Sequence, residues 1–188
     1  MYMREWIPVS TSPKGRLALR ALEDFGGRPF QDVTVGELAA GAGVTTGSLY
    51  HHFDSKLGLY SFVRDEAERR LLDRMEGAAS ARAGDGVSAA SLGALIVGFD
   101  FAAGQGFVRL LGEAHPARDR DPVADLLTQV SHAGPLPIGR VLAAAWRAAL
   151  MAVADGESPP RARAALELLA LDEEALARGT QPSTRQRG

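Results

Sequence analysis

Apolar residues recur along this chain at the three- and four-residue spacing of helices, and no segment alternates apolar and polar positions long enough to form a strand. Leu17, Ala18, Ala21, Leu22 and Phe25 fall on one helical face. Ser12 before Pro13 marks that helix's start, because proline at the first helical position gives up a donor that had no partner, and Gly26-Gly27 marks its end. Thr34 starts a second helix, with Glu37 three residues on completing a capping box, and Val35, Leu38, Ala39 and Ala42 give it an inner face that ends at Gly43. A third helix starts at Thr45 or Thr46 and runs to Phe53. Two short helices joined by a tight glycine-containing turn predict a helix-turn-helix.

A long helix follows from Lys56 toward Ser80, with Tyr60, Val63, Ala67, Leu71 and Met75 as its apolar stripe. Arg64, Asp65, Glu68, Arg69 and Arg70 are assigned to its outer face, and its length makes it a connector between modules. Ala83–Ser88, with Gly84 and Gly86, is predicted as the first true loop. Beyond it, Leu92, Leu95, Ile96, Phe99 and Ala103 define one helix, Phe107 to Leu111 a short one, and Val123 to Val130 a third opened by Asp121-Pro122. Ile138 to Val153 forms a fourth, and Ser158-Pro159-Pro160 opens a last one carrying Ala165, Leu166, Leu168, Leu169 and Leu176. The fold class is therefore all-α. The expected division is an arm over 1–11, a helix-turn-helix domain over 12–56, a connector plus C-terminal domain over 57–178, and a disordered polar tail over 179–188.

Composition narrows the chemistry. There is no cysteine, which removes disulfides, thiolate nucleophiles and cysteine-rich zinc sites. His51 and His52 diverge by about 100° on a helix and cannot share one ion, so no metal and no cofactor are expected. The sequence suggests neither a signal peptide nor a run of about 18 apolar residues, which points to a cytoplasmic protein without a membrane partner. The formal net charge is −2, and residues 12–56 hold five basic and five acidic side chains. A nucleic-acid binder normally carries a basic footprint, so affinity here has to come from local placement, helix N-termini and dimerisation.

The segment Gly43-Val44-Thr45-Thr46-Gly47-Ser48-Leu49-Tyr50-His51-His52-Phe53-Asp54-Ser55-Lys56 resembles the signature of the TetR family of transcriptional regulators, including its Leu-Tyr-x-His-Phe core and the lysine three residues beyond. The resemblance runs from about Arg16 to Tyr60. Geometry agrees with it independently, since Leu49 and Phe53 point to one side of the third helix while Thr46, Gly47, Tyr50 and His51 lie on the other. Small residues at Thr45, Thr46, Gly47 and Ser48 would let the backbone approach base edges in a major groove. Tyr50 and His51 can reach phosphates, Tyr50 being by resemblance the commonest such contact. Lys56 at the connector's N-terminus and Thr34 on the second helix are further phosphate candidates.

The resemblance also implies a homodimer joined through the last two long helices. The broad apolar face of Ile138, Val141, Leu142, Ala145, Trp146, Ala149 and Val153 is consistent with that. It further implies a small-molecule effector held in the C-terminal domain, releasing a double-stranded operator of inverted-repeat form. Phe99, Phe107, Leu111 and Trp146 are the expected lining for a largely apolar molecule, with Asp100, Arg109 and His115 as polar orienters. The ligand must favour one of two dimer states for such a switch to work. A constitutive or structural DNA binder with a packed C-terminal core is the alternative. An enzyme built on Glu113 and His115 is not expected, because residues two apart on a helix diverge and no nucleophile motif is present.

Overall fold

The computed structural model describes residues 11–172 apart from 133 and 170; the expectations for the arm over 1–10, for Leu176 and for the tail lie outside those residues. Among the described residues there are nine α-helices and no strand. They are α1 Pro13–Gly27, α2 Val35–Gly41, α3 Thr46–Phe53, α4 Lys56–Arg82, α5 Val87–Gln105, α6 Val108–Gly112, α7 Pro122–Ser131, α8 Ile138–Ala154 and α9 Pro159–Glu167.

The first four helices start where their caps dictate. Ser12 Oγ accepts from the Gly15 amide at 3.0 Å, Thr45 Oγ from Ser48 at 3.2 Å and Ser55 Oγ from Gly58 at 2.9 Å. Thr34 and Glu37 close the full capping box, the Glu37 carboxylate accepting from the Thr34 amide at 2.8 Å. Each such cap satisfies a donor that the helix itself leaves unpaired, worth about 1 kcal/mol. The tight turn before α3 places Gly43 at φ +63, a conformation glycine adopts without a Cβ penalty.

Leu17, Leu22 and Phe25 of α1, Leu38 of α2, and Leu49 and Phe53 of α3 are buried together. The first turns of α4 complete this core through Leu59, Tyr60 and Val63, with the Tyr60 ring edge-on to Phe25 at 5.0 Å. α4 then folds back into α5 through a 3-10 turn at Ala83–Asp85, so the predicted loop is shorter than expected. Gly93 lies against Ala78 and Gly98 against Met75 and Leu71, which fixes the two helices antiparallel and lets them approach closely.

α5 corrects one expectation, because its 19 residues are long and apolar enough to match a membrane span by composition. Here it is a core helix, packed against α4, α7, α8 and α9, with Ala94, Leu95, Phe99 and Ala102 buried. α6 crosses the C-terminal end of α1, where a Cβ on Gly26 would lie 2.3 Å from the Gly106 carbonyl oxygen. The pair Gly26-Gly27 does end α1, but Gly26 also serves a packing role: it lets two backbones touch.

Candidate functional site

α3 presents a sharply divided surface. Leu49 is fully buried and Phe53 nearly so, whereas Thr45, Thr46, Gly47 and His51 are exposed, Ser48 is half-buried and Tyr50 is 52% exposed. His52 is half-buried, its ring edge-on to those of His51 at 5.0 Å and Phe53 at 6.3 Å. The N-terminal half of α3 therefore offers small, uncharged side chains and backbone to a partner, flanked by one exposed tyrosine and one exposed histidine. Thr45 is also the cap of the helix, so its hydroxyl serves the Ser48 amide.

Two residues expected on phosphates are placed otherwise. Lys56 Nζ donates to the Phe30 and Val33 carbonyls, each at 2.9 Å, and lies 4.2 Å from the Phe30 ring centroid. It ties the start of α4 to the segment before α2, leaving one of its three donors. Thr34 Oγ donates to the Glu37 carboxylate at 2.7 Å while accepting from the Glu37 amide. Its hydroxyl is thus committed to the cap, and the neighbouring carboxylate disfavours an anion. Hydrogen bonding from Thr34, followed by Arg28, holds the Glu37 carboxyl below its ordinary range.

The other basic residues of 12–56 are likewise engaged. Arg20 pairs bidentately with buried Asp24, Arg28 with Glu37, Arg16 with the Ala42 and Thr11 carbonyls, and Lys14 lies over the Phe53 and Phe62 rings. Carboxylates therefore neutralise Arg20 and Arg28, whereas among the described residues Lys14, Arg16 and Lys56 contact only uncharged groups and keep their charge beside the partial positive charge of the α3 N-terminus.

Behind this domain lies a cleft of about 330 Å³ between α4, the 114–121 segment, α7 and α8. Arg64 and Glu68, expected on the outer face of α4, are buried at its floor, because Tyr60, Arg64 and Glu68 form an i, i+4, i+8 row facing the 114–121 segment. Arg64 Nε donates to Glu68 at 3.1 Å and its Nη1 to the Tyr60 hydroxyl at 2.7 Å. Arg118 adds a second cation to Glu68 and reaches Asp65 at 3.0 Å. Burial raises the Tyr60 phenol above its ordinary value, against the pull of Arg64. On the far wall Arg147 holds Asp121 at 2.7 Å. Burial pushes the Asp121 carboxyl up, but Arg147 and the Ala124 and Val123 amides outweigh it and keep it below the ordinary value.

Of the seven residues expected to hold an effector, His115 alone lines this cleft. Its Nδ1 accepts from the Ala117 amide at 3.1 Å, so in the neutral ring Nε2 carries the proton toward Ser61 Oγ at 3.3 Å. Burial, then Arg64 and Arg118, push its pKa below the usual imidazole value. Phe99, Phe107, Leu111 and Trp146 are at most 1% exposed and pack in the core rather than along this cleft. Asp100 is exposed on α5 and pairs with Arg163 of α9 at 3.0 Å. Arg109 bridges Glu113 and Asp155, fastening α6 to the end of α8.

A capped α2, a tight glycine turn and a short helix with an open, small-residue N-terminal half define a DNA-binding helix-turn-helix protein. Residues 20–61 match the model of the bacterial regulatory proteins, tetR family. Over those residues the chain is similar to the DNA-binding domain of that family, which supports a DNA-binding transcriptional regulator. Among solved structures, a TetR-family regulator from Streptomyces coelicolor A3 is similar at 15% identity, over 92% of this chain and 98% of that one, with a TM-score of 0.44. No curated protein matches the sequence.

Proposed function

We propose that the chain is a ligand-responsive repressor, a cytoplasmic homodimer that holds an inverted-repeat operator through α3 and lets go when a small molecule enters the C-terminal domain. The division at residue 56 belongs to this proposal, with 12–56 reading DNA and 57–178 sensing and dimerising. The observation that carries it is the position of the cleft. Its floor is Arg64 and Glu68 of α4, the same helix whose first turn packs on the recognition helix. A molecule bound there touches the helix that runs from the recognition helix into the C-terminal domain. The candidate DNA contacts are Thr45, Thr46, Gly47, Ser48, Tyr50 and His51, with Thr34 and Lys56 demoted by their internal bonds.

Support for the dimer comes from α8 and α9. Leu142, Trp146 and Ala149 are buried within the protomer, but Val141 is 58% exposed and Ala148 and Ala165 are exposed beside half-buried Ala145 and Ala152. A surface of small apolar side chains on two adjacent helices suits a four-helix interface. α9 has 9 described helical residues, so its share is smaller than a long helix would give. Two tethered modules also answer the weak charge of each one, because the second binding event becomes intramolecular.

The test uses an operator selected from random duplexes with the purified protein. Gel shifts are run with and without a chemically diverse panel, and protein mass is measured in solution. Operator release by at least one compound and a dimeric mass are expected. Indifference to the whole panel leaves the constitutive DNA binder as the correct description.

A further inference from the structure

Resting on the ligand-switch proposal, we infer that the cleft takes a small organic anion, and that Glu68 occupies its acid-binding position when the anion is absent. Five arginines and three carboxylates line the cleft. The excess of cations is not spread evenly. Arg147 is consumed by Asp121 and the Leu111 carbonyl, whereas Arg140, exposed at the rim, has no ion-pair partner among the described residues. Arg118 retains a buried Nε without a hydrogen-bond partner. Glu68 is held between Arg64 and Arg118, the arrangement an incoming carboxylate or phosphate would reproduce with the same donors.

The rest of the wall is permissive. Ala114, Ala124 and Ala144 present only methyl groups, leaving room for the body of the molecule. About 330 Å³ corresponds to about ten water molecules at liquid density, enough for an acid of roughly a dozen non-hydrogen atoms. An anion that takes Arg118 from Glu68 and Asp65 removes the two Arg118 ion pairs that fasten the 114–121 segment to α4 and leaves the His115 contacts with Ser61 and Tyr60. That exchange supplies the unequal binding to two states which a switch requires.

Benzoate and phenyl phosphate serve as probes, with benzamide as the neutral counterpart, titrated into the full-length DNA-free protein by calorimetry at constant ionic strength. The acids are expected to bind and benzamide is not; the two acids together tell which acid group the donors prefer. Glu68→Gln removes the internal competitor and is expected to tighten the acids about tenfold. Arg140→Ala, at an exposed side chain with no partner to lose, is expected to weaken them about two- to fivefold and leave melting unchanged. If Glu68→Gln fails to fold, Arg140→Ala decides alone. Equal binding of benzamide and benzoate, or acid affinity unmoved by Arg140→Ala, overturns the assignment. Gel shifts with the same compounds separate the two proposals: acids that bind without releasing operator keep the site and remove the switch, and release by neutral compounds alone keeps the switch and removes the anion.

Discussion

Replacing Gly26 by alanine tests the contact that joins the DNA-binding helices to the C-terminal domain. A Cβ there would lie 2.3 Å from the Gly106 carbonyl oxygen, against an ordinary contact of 3.4 Å or more. Both parties are backbone, so no side chain can rotate aside, and α1 must back away from the α5–α6 corner by about 1 Å. Overpacking of this kind costs about 1 to 3 kcal/mol. Alanine recovers about 0.5 to 1 kcal/mol of it through its better helix propensity. Gly27 is the internal control, since a Cβ at that position meets nothing within 4 Å. Gly27→Ala should therefore be neutral or stabilising, and the difference between the two variants isolates the clash. Thermal unfolding should put Gly26→Ala below Gly27→Ala by roughly 2 to 12 °C, using about 2 to 4 °C per kcal/mol for a chain of this size. Equal melting temperatures would show that α1 and the α5–α6 corner are not in backbone contact, and the description of their junction would fail.

Tyr50→Ala should weaken operator binding by about 1 to 3 kcal/mol in gel shifts while melting as wild type does, because the side chain is half exposed and packs little; unaltered affinity would remove it from the interface. Lys56→Ala should lower stability by about 1 to 3 kcal/mol in denaturant unfolding, since it strands the Phe30 and Val33 carbonyls, and a variant as stable as wild type refutes that role. The depressed pKa of His115 has a definite sign: the unfolded chain takes up the proton first, so the stability contribution is full above the unfolded value of about 6.5 and is lost as pH falls below it. Melting temperatures of wild type between pH 7.5 and 5 should accordingly fall more than those of His115→Gln, and parallel curves would contradict the burial of that ring.

What could be read in the sequence was what short-range physics decides. Ser12-Pro13, the Thr34–Glu37 box and the Leu49/Phe53 pair each act within four residues, and each stands in the structure where the spacing puts it. Arg64 and Glu68 were harder, because a helical wheel gives the angle of a side chain but not which neighbour arrives on that side. The row Tyr60, Arg64, Glu68 was the available signal, one potential hydrogen-bonding group per turn beside the apolar stripe. Phe99 and Trp146 illustrate the converse: a large aromatic residue is the same letter whether it fills a core or lines a hollow. Asp100, between Phe99 and Phe101 on an apolar helix, suggests a polar group aimed into a pocket, yet α5 turns it outward to meet Arg163, a residue 63 positions away.

Gly58 sets the mechanical character of the molecule. A Cβ at that position would lie 2.0 Å from the Phe53 carbonyl oxygen, so the first turn of α4 is seated directly on the end of α3, and Lys56 pins the same turn to the segment before α2. The DNA-reading end is thus a solid head on a shaft of 27 residues, about 40 Å long at 1.5 Å per residue, with the Gly26 contact to the α5–α6 corner as a second tie. A tilt of about 5° at the far end of such a shaft carries the head some 3.5 Å, about the rise of one base pair. Glu68 lies about 21 Å along the shaft from that far end, so in the same tilt it shifts about 1.8 Å, and a rearrangement there is roughly doubled on its way to the operator.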